Sequence, residues 1–408
     1  MTHRHRTAAR PNNPGARSAW LMLIGIVLVA MNLRPALLSV SPLLNELERN
    51  LELSSAMLGV LTTLPVLCLG LAAPLAPRAA RAIGDERTIL CVLLVLAAAL
   101  LIRPFIGVVG LFAGTALAGG CIGILGVLLP GLVKRDFPEH VGVLTGLYTM
   151  ALCLGASIAA GATEPLRLYL GGNWQPALAF WLTPAIIAAV AWLPQLARPT
   201  DTRATGSGQR PASLRNDPLA WQVTLYMGLQ SSLAYSIFGW LPTILSDRGL
   251  SDVDAGLALS ASILVQLISA LAAPWIGGRC RDQRGVVATV MAVSLIGLLG
   301  CLYAPIASIW LWAVVLGLGQ GGAFSMALTL IALRAADSHT AARLSGMAQG
   351  VGYILAALGP LLVGVLHDAT GGWNTVGALF TFIVIAALVA GLGAGRSQVV
   401  GARSGTPH

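Results

Sequence analysis

The sequence is poor in charge. Only 10% of its 408 residues are charged, 25 of them basic and 16 acidic, whereas about a quarter of a typical soluble protein is charged. Lysine occurs once, at Lys134, and the other 24 basic residues are arginines. Soluble domains need charged surfaces, and so few charges do not cover the roughly three domains that this length would otherwise suggest. The composition therefore excludes most soluble folds.

Several functional motifs are also missing. The six cysteines show no paired spacing, so we expect neither a disulfide nor a metal site. No Gly-x-x-x-x-Gly-Lys-Ser/Thr sequence is present, so ATP is not the expected energy source, and we expect no cofactor. The net charge of +9 comes from scattered arginines without a basic-aromatic cluster, so we expect no nucleic-acid partner. An embedded enzyme would show an Asp, Glu or His cluster at depth, and none is found.

What the sequence does contain is apolar residues, which make up 56% of the chain and form runs long enough to cross a bilayer. The third and ninth runs are short for a full crossing, but a span can recruit flanking residues or thin the bilayer. The sequence predicts an all-α membrane protein with twelve transmembrane helices, at Ala19–Leu44, Ser55–Leu75, Thr88–Ile102, Gly107–Val133, Val143–Thr163, Gln175–Leu196, Ala220–Leu245, Asp254–Ile276, Gly285–Tyr303, Ser308–Leu333, Leu344–Leu366 and Asn374–Gly395.

The arginines indicate the orientation of these helices. With the N-terminus in the cytoplasm, 20 of the 25 basic residues fall in tails and loops on the cytoplasmic side, four fall outside, and Arg34 falls within a helix. The positive-inside rule then places both termini in the cytoplasm. The first apolar run is too long for a secretory signal peptide, so we expect it to be retained as a helix.

The chain repeats itself at an interval of about 200 residues. Leu71–Pro74 recurs as Leu271–Pro274, and Leu144–Gly146 recurs as Leu344–Gly346, with offsets between 197 and 201 along the chain. Because six crossings return the chain to the same side, the halves are parallel repeats, and transporters of this kind bind solute between their halves near the midplane. We expect a tail at 1–18, six-helix halves at 19–197 and 219–396, a cytoplasmic linker at 198–218 and a tail at 397–408.

Local motifs point to a family. The motifs are Asn32-Leu33-Arg34-Pro35, Leu61-Thr62-Thr63-Leu64-Pro65, the stretch Leu129–Pro138 and the stretch Leu344–Tyr353. With them the chain resembles the cyanate and 2-nitroimidazole transporter (CynX/NimT) subfamily of the major facilitator superfamily from about Trp20 to Arg396, and most of all its nitroimidazole branch. The resemblance implies twelve helices, alternating access, a small polar or anionic solute and a place in the inner membrane of a bacterial cell.

The loop between the second and third helices departs from the wider superfamily. That loop normally carries an Asp ahead of Arg-x-x-Gly-Arg, and the Asp is absent here, while Arg81, Gly84 and Arg87 remain. A conformational latch at this loop needs other partners, such as Asp85 or Glu86. We expect gating or conformational roles for these arginines and this glycine, for Pro35, and for Arg284 in the second half. The fourth-helix Arg and fifth-helix Gly-Pro pair of drug exporters are missing, which weakens a drug-export function.

Arg34 is the charge that the sequence places inside the membrane. It lies 15 residues after Ala19, roughly 22 Å along a helix and so in the outer half of a core about 30 Å thick. A guanidinium there should face a cavity or a partner, and its planar donors suit a nitro, carboxylate or cyanate-like group. The alternative is snorkelling to the outer headgroups or pairing with helix carbonyls. Pro35 predicts a kink beside this site.

The internal repeat suggests which residues face Arg34. Arg34 corresponds to Ala234 or Tyr235, which directs attention to the seventh helix. The stretch Gly119-Gly120-Cys121 of the fourth helix aligns with Gln320-Gly321-Gly322 of the tenth. The fifth and eleventh helices present polar residues on the cytoplasmic side, where binding and gating are both possible. The candidate solute-binding residues are Arg34, Tyr148, Gln230, Tyr235, Gln320, Gln349 and Tyr353, with interhelical hydrogen bonding as the other interpretation.

We expect a secondary active or facilitative transporter of a small polar or anionic solute, cyanate-like or nitroimidazole-like, that works by alternating access around Arg34. A multidrug or xenobiotic exporter of the same superfamily is the alternative, and a membrane-embedded enzyme is a remote one. We expect a monomer in the lipid bilayer, without catalytic residues. Glu164 lies near the outer end of the fifth helix and is interpreted as an interface residue. Import, export and the coupling ion stay open.

Overall fold

The computed structural model describes residues 16–137, 139–197, 214–336 and 338–400. The expected tails and linker lie largely outside these residues. Within them the chain is helical apart from turns and one isolated bridge between Ala335 and Val400. The helices are α1 Ala16–Met31, α2 Pro35–Leu38, α3 Leu44–Leu51, α4 Ser55–Ala72, α5 Ala76–Ile83, α6 Asp85–Ile102, α7 Gly107–Asp136, α8 Val141–Tyr169, α9 Trp174–Phe180, α10 Leu182–Trp192, α11 Pro218–Asp247, α12 Asp252–Gly277, α13 Arg284–Tyr303, α14 Ile309–Leu333, α15 Ser338–Thr370 and α16 Asn374–Ala394.

These helices account for the twelve predicted crossings. The first crossing combines α1, α2 and α3, the second combines α4 and α5, and the sixth combines α9 and α10. Over the described part of the chain, ten segments are long and apolar enough to span a membrane. The other two crossings are α6, whose first turn holds Asp85, Glu86 and Arg87, and α11, which carries many polar residues.

Helix α11 is polar because it lies in the interior of the protein. Almost every residue from Val223 to Leu245 on this helix is buried, including Gln230, Ser231, Ser232 and Ser236. A helix covered by protein does not need an apolar surface toward lipid, so its side chains are free to make polar contacts. Helix α11 therefore carries its polar side chains inside the fold.

Because each half has an even number of crossings, the chain begins and ends on the same face of the molecule. We call this the terminal face and the opposite one the far face. The terminal face holds the start of α1 at Ala16 and the end of α16 at Ala394, and the far face holds the turns at Glu52, Gly171 and Gly371. Two pairs of helices join the halves, α4 with α15 and α8 with α12. Gly59 near the start of α4 packs on the α15 backbone close to its end, so these two helices are antiparallel.

Glycines at equivalent positions of the two halves pack the second crossing against the fourth. Gly119 lies against the Pro65 carbonyl in the first half, and Gly317 lies against the Ser262 carbonyl in the second. A β-carbon at either glycine would overlap that backbone. The two glycines stand 198 residues apart in the sequence, so Gln320 corresponds to Ile122. The alignment of Gln320 with the Gly119 stretch was therefore wrong by about one helical turn.

Gly155 allows the fifth crossing to pack closely against the first. Helix α8 passes so close to α1 that a β-carbon on Gly155 would overlap the Met31 carbonyl oxygen. That oxygen is free because Pro35, four residues later, has no N–H to donate to it. The close approach of α8 therefore depends on both Pro35 and Gly155.

Replacing Gly155 by alanine should destabilise the protein by about 1–3 kcal/mol, since the added methyl group must push the backbones of α1 and α8 apart. The matched control is Gly146→Ala on the same helix, where a β-carbon would meet no atom within 4 Å. Thermal unfolding of both purified variants measures the difference. Equal midpoints for the two variants would contradict this packing.

Candidate functional site

The candidate site is built around a break in the first crossing. Helix α1 ends at Met31, three residues follow in turn conformation, and α2 begins at Pro35. Arg34 is the residue before α2, and its carbonyl accepts the backbone N–H groups of Leu37 and Leu38, both at 3.0 Å. The kink predicted from Pro35 is confirmed, and it is a full interruption of the helix.

Arg34 points from this break toward the other half. Its Cζ atom lies 5.7 Å from the ring centre of Tyr235 and 5.5 Å from that of Phe238. Both rings belong to α11, are largely buried, and stand edge to face at 6.1 Å. These distances are within the range of cation–π attraction. The guanidinium of one half is therefore held against two aromatic rings of the other.

Other polar groups surround the guanidinium. Its electrostatic field reaches the hydroxyls of Tyr148 and Tyr353 and the thiol of Cys153. The ring of Tyr353 on α15 lies 6.2 Å from that of Tyr235, edge to face. Tyr148 and Cys153 come from α8. The structure thus brings together Arg34, Tyr148, Tyr235 and Tyr353 of the predicted binding residues, contributed by both halves.

Arg34 has no counter-charge in the part of the chain that the structure describes. Among the described residues no carboxylate forms an ion pair with it, and its N–H groups find no hydrogen-bond acceptor there. Its side chain is only half-buried. A cation away from bulk water is costly unless it is paired or hydrated. The arrangement therefore leaves Arg34 free to bind an acceptor or an anion with its planar set of donors.

The three candidate glutamines lie elsewhere. Gln230 is 1% exposed and Gln320 is 3% exposed, both inside the second half. The Nε2 atom of Gln230 donates to the Ser231 hydroxyl at 2.7 Å. The Nε2 atom of Gln349 donates to the hydroxyl of Ser345, one turn away, also at 2.7 Å. The contacts of Gln230 and Gln349 are thus with their own helices and not with Arg34.

Apart from Pro35, which lies at the break, the candidate gating residues lie at the terminal face. Arg81, Arg87 and Arg284 are exposed there, and Arg284 is 3.9 Å from Asp282. Gly84 joins α5 to α6 with a φ of +90°, a conformation that favours glycine. These positions fit a conformational role at that face, which stays a prediction.

Asp85 and Glu86, the carboxylates suggested as latch partners, pair with an arginine. Arg135 at the end of α7 pairs with Asp85 at 3.0 Å, with Glu86 at 2.5 Å and with its neighbour Asp136 at 2.7 Å. All four residues belong to the first half. This cluster ties α6 to α7 within that half and does not bridge the halves.

Arg103, which the sequence places among outer-side charges, is completely buried. It follows α6, donates from Nη1 to the Ala36 carbonyl at 2.8 Å, and donates from Nη2 to the Ser39 hydroxyl at 3.1 Å. Helix α2 is only four residues long, so its last carbonyls need partners from outside the helix. Arg103 supplies a partner for the Ala36 carbonyl and, with its bond to Ser39, fixes the segment that begins with Arg34.

Glu164 is buried and paired with an arginine. It is 3% exposed, and Arg167 donates to both of its carboxylate oxygens, at 2.9 Å and 2.7 Å. Arg167 also lies 3.6 Å from Glu46 at the far face. The interpretation of Glu164 as an interface residue stays a prediction. Asn32 donates to the Pro184 carbonyl of α10 at 3.1 Å, which links the first crossing to the sixth.

The sequence did not reveal Phe238, Cys153 or Arg103. Phe238 stands three residues after Tyr235 and so shares its helix face, a spacing that would have identified it. Cys153 lies five residues after Tyr148, where a thiol among apolar residues gives no signal. Arg103 resembles an ordinary loop arginine until α6 is packed on the broken first crossing.

Two cavities lie near the break. One of about 20 Å³ is lined by Tyr235, Phe238, Thr62 and Thr115 among others, and holds no more than a water molecule. The other, of about 530 Å³, lies behind the break between Met31, Tyr169 and Trp181 and is lined almost wholly by apolar groups. The larger cavity does not suit a polar solute. We therefore expect a polar solute to bind on the side of the break where Arg34 lies.

Comparison with known proteins gives consistent results. The Major Facilitator Superfamily profile matches residues 19–356 and 229–395. The chain is 39% identical over 391 residues to the uncharacterized transporter YycB of Bacillus subtilis (strain 168), covering 96% of this chain and 97% of that protein. It is also 39% identical over 386 residues to the 2-nitroimidazole transporter of Escherichia coli (strain K12), covering 93% and 96%.

A third relative and a solved structure agree with these matches. The cyanate transport protein CynX of Escherichia coli (strain K12) is 31% identical over 369 residues, covering 90% of this chain and 95% of CynX. A variant of the nucleoside transporter NupG has a similar fold, with a TM-score of 0.72 at 14% identity and coverage of 91% of this chain and 99% of that one.

Replacing Arg103 by methionine should lower stability by about 1–3 kcal/mol, because the Ala36 carbonyl would stay buried without a donor. The matched control is Arg49→Met, which removes an exposed arginine. Thermal unfolding of the two purified variants provides the comparison. If Arg103→Met unfolds at the same temperature as Arg49→Met, Arg103 does not hold the α2 segment.

Proposed function

The chain belongs to the major facilitator superfamily and is a small-solute transporter, not an enzyme, and from this we propose that it moves a small planar polar or anionic solute past Arg34 by alternating access. The observation that carries the proposal is the uncompensated guanidinium between the two halves. Relatives named for 2-nitroimidazole and for cyanate point to small conjugated solutes with strong acceptor atoms.

The surroundings of Arg34 support a solute with a flat, conjugated shape. Guanidinium donors lie in one plane and bind two acceptor atoms at once, as in nitro or carboxylate groups. The rings of Tyr235 and Phe238 provide apolar faces beside those donors. The hydroxyls of Tyr148 and Tyr353 add donors that leave no permanent charge in the site. A cation would be repelled, since no carboxylate among the described residues offsets Arg34.

The packing of the halves supports alternating access. In the far half of the membrane the Ser41 hydroxyl donates to the Gly239 carbonyl at 2.9 Å, and the hydroxyls of Ser157 and Ser260 lie 2.7 Å apart. Toward the terminal face, Gly146 and Gly346 are repeat mates, and a β-carbon on either would meet no atom within 4 Å. These contacts support a carrier that is closed at its far face and open at its terminal face.

The cellular setting belongs to the same proposal. The arginines at the terminal face, such as Arg78, Arg81 and Arg87, favour a cytoplasmic position for both termini. We place the protein in the inner membrane of a bacterial cell, where it works as a monomer in the lipid bilayer, without a nucleic-acid partner. The conformation described here is then open to the cytoplasm.

The proposal predicts that transport depends on Arg34. In proteoliposomes loaded with labelled cyanate or 2-nitroimidazole, Arg34→Ala should reduce exchange roughly tenfold or more, because a hydrogen bond to a charged group contributes about 1.5–3 kcal/mol. Arg34→Lys keeps the charge but loses the planar donors, so its exchange rate should fall between those of wild type and Arg34→Ala.

The control for this experiment is Arg78→Ala, which removes an exposed arginine at the terminal face and should leave exchange unchanged. All variants are first shown to elute as a single species in detergent. Wild-type rates in Arg34→Ala with a transported solute would disprove the role of Arg34. Exchange of neither solute by the wild type would reject the proposed solute class.

A further inference from the structure

The small cavity beside Tyr235 lies between Arg34 and the far face. Along the first crossing, the cavity-lining residue Val40 follows Arg34, and along α11 the lining residues Tyr235, Phe238 and Gly239 follow in that order. Both segments run from the terminal face toward the far face. The cavity therefore lies on the far-face side of the guanidinium and shares two aromatic walls with it.

Contacts between the halves close this cavity at Gly239. The Ser41 hydroxyl donates to the Gly239 carbonyl at 2.9 Å, and a β-carbon on Gly239 would lie only 3.2 Å from the side chain of Thr62. Ser41 and Thr62 belong to the first half, whereas Gly239 belongs to the second. Opening the far face separates these groups, so the cavity widens and joins the water on that side.

The cavity wall contains a hydroxyl without a partner. Thr115 of α7 lines the cavity, is 2% exposed, and its hydroxyl oxygen has no hydrogen-bond partner among the described residues. Thr62 also lines the cavity, but its hydroxyl bonds to the carbonyls of Leu58 and Gly59 on its own helix. A buried hydroxyl without a partner costs free energy. The Thr115 hydroxyl therefore does not stabilise this conformation.

The chemistry of the cavity wall suits a small polar solute with a flat apolar body. Apart from the hydroxyls of Thr62, Thr115 and Tyr235, the lining side chains are apolar or aromatic. A hydroxyl both donates and accepts hydrogen bonds, so Thr115 can bind either a nitrogen or an oxygen atom of a solute. The present volume of about 20 Å³ has room for no more than a water molecule. Contact with a solute therefore requires the far face to open.

We propose that Thr115 is a solute-binding residue of the conformation that is open to the far face, where it hydrogen-bonds the solute between Arg34 and that face. This inference rests on the proposed alternating access. A solute that enters from the far face passes Thr115 on its way to Arg34. A solute that enters from the terminal face reaches Arg34 while the cavity at Thr115 is still closed. Thr115 therefore sets affinity at the far face, whereas Arg34 sets affinity at both faces.

The test measures the half-saturating concentration of labelled 2-nitroimidazole, and separately of cyanate, from each side of the membrane. Sealed vesicles of the two opposite orientations, loaded with excess unlabelled solute, present either the far face or the terminal face to the label. Thr115→Val keeps the shape of the side chain and removes the hydroxyl. We expect it to raise the far-face value roughly twofold to tenfold, the effect of one neutral hydrogen bond, and to leave the terminal-face value unchanged.

Matched variants separate binding from folding. Thr63 of α4 is 8% exposed, also has an unpartnered hydroxyl, and is not among the residues that line the cavity, so Thr63→Val should change neither value. Thr115→Ser keeps the hydroxyl and should stay near wild type, whereas Arg34→Ala should raise the values at both faces. Thr115→Val loses no bond within the protein and should unfold at or above the wild-type temperature. A lower unfolding temperature with unchanged affinities would make Thr115 a structural residue and overturn the proposal.

A second measurement needs no transported solute. In a chain with all six native cysteines replaced by alanine, Thr115→Cys should react with a small membrane-impermeant thiol reagent added at the far face, and Thr63→Cys should not. If the wild type exchanges neither solute, the solute class proposed above is rejected, and the labelling alone decides whether Thr115 lies on the path. A Thr115→Cys that does not react from the far face, or a Thr115→Val with wild-type affinity there, would overturn the proposal.

Discussion

One missing backbone hydrogen bond organises the site. Pro35 has no N–H, so the first crossing stops at Met31 and resumes four residues later. The freed Met31 carbonyl lies where only glycine fits, and Gly155 of α8 fills that place. The short helix that follows depends on Arg103 for its carbonyl bond. Arg34 lies in the break between these two contacts, and its side chain is directed toward the other half. Its position is therefore set by the break in the helix rather than by a partner of opposite charge.

The two halves share their backbone packing but differ in polar chemistry. The contacts of Gly119 and Gly317 with the second crossing of their own halves are equivalent. At the terminal face, however, Arg135 of the first half pairs with Glu86, whereas Arg334 of the second half donates to neutral Gln283. Packing between helices tolerates few changes in size, while the donors of an arginine can be satisfied by a charged or by a neutral acceptor. Duplicated halves therefore keep their glycines and diverge in their charges.

Much of this arrangement was predictable from the sequence. The apolar runs gave the helices, the repeat gave the halves, and the single intramembrane charge led to Arg34 and Tyr235. Depth along a helix follows from counting residues at 1.5 Å each, but the direction of a side chain around the helix does not follow when both faces are apolar. Gln230 and Gln320, which the repeat suggested as facing residues, are instead buried within the second half. The burial of Arg103 depends on the packing of α6 against α2, which no local pattern encodes.

Beside the packing of α4 on α15, a few hydrogen bonds among the described residues join the halves at the far face, and their weakness has a consequence for the energy that transport requires. Each hydrogen bond across the interface, such as that of Ser41 with Gly239, has a net contribution of about 0.5–1.5 kcal/mol. A closure made of a handful of them is comparable to the roughly 4 kcal/mol with which a millimolar ligand binds. A solute of modest affinity can then tip the balance between conformations without ATP. A much stronger closure would trap the carrier in one state, so weak contacts are the condition for rapid turnover.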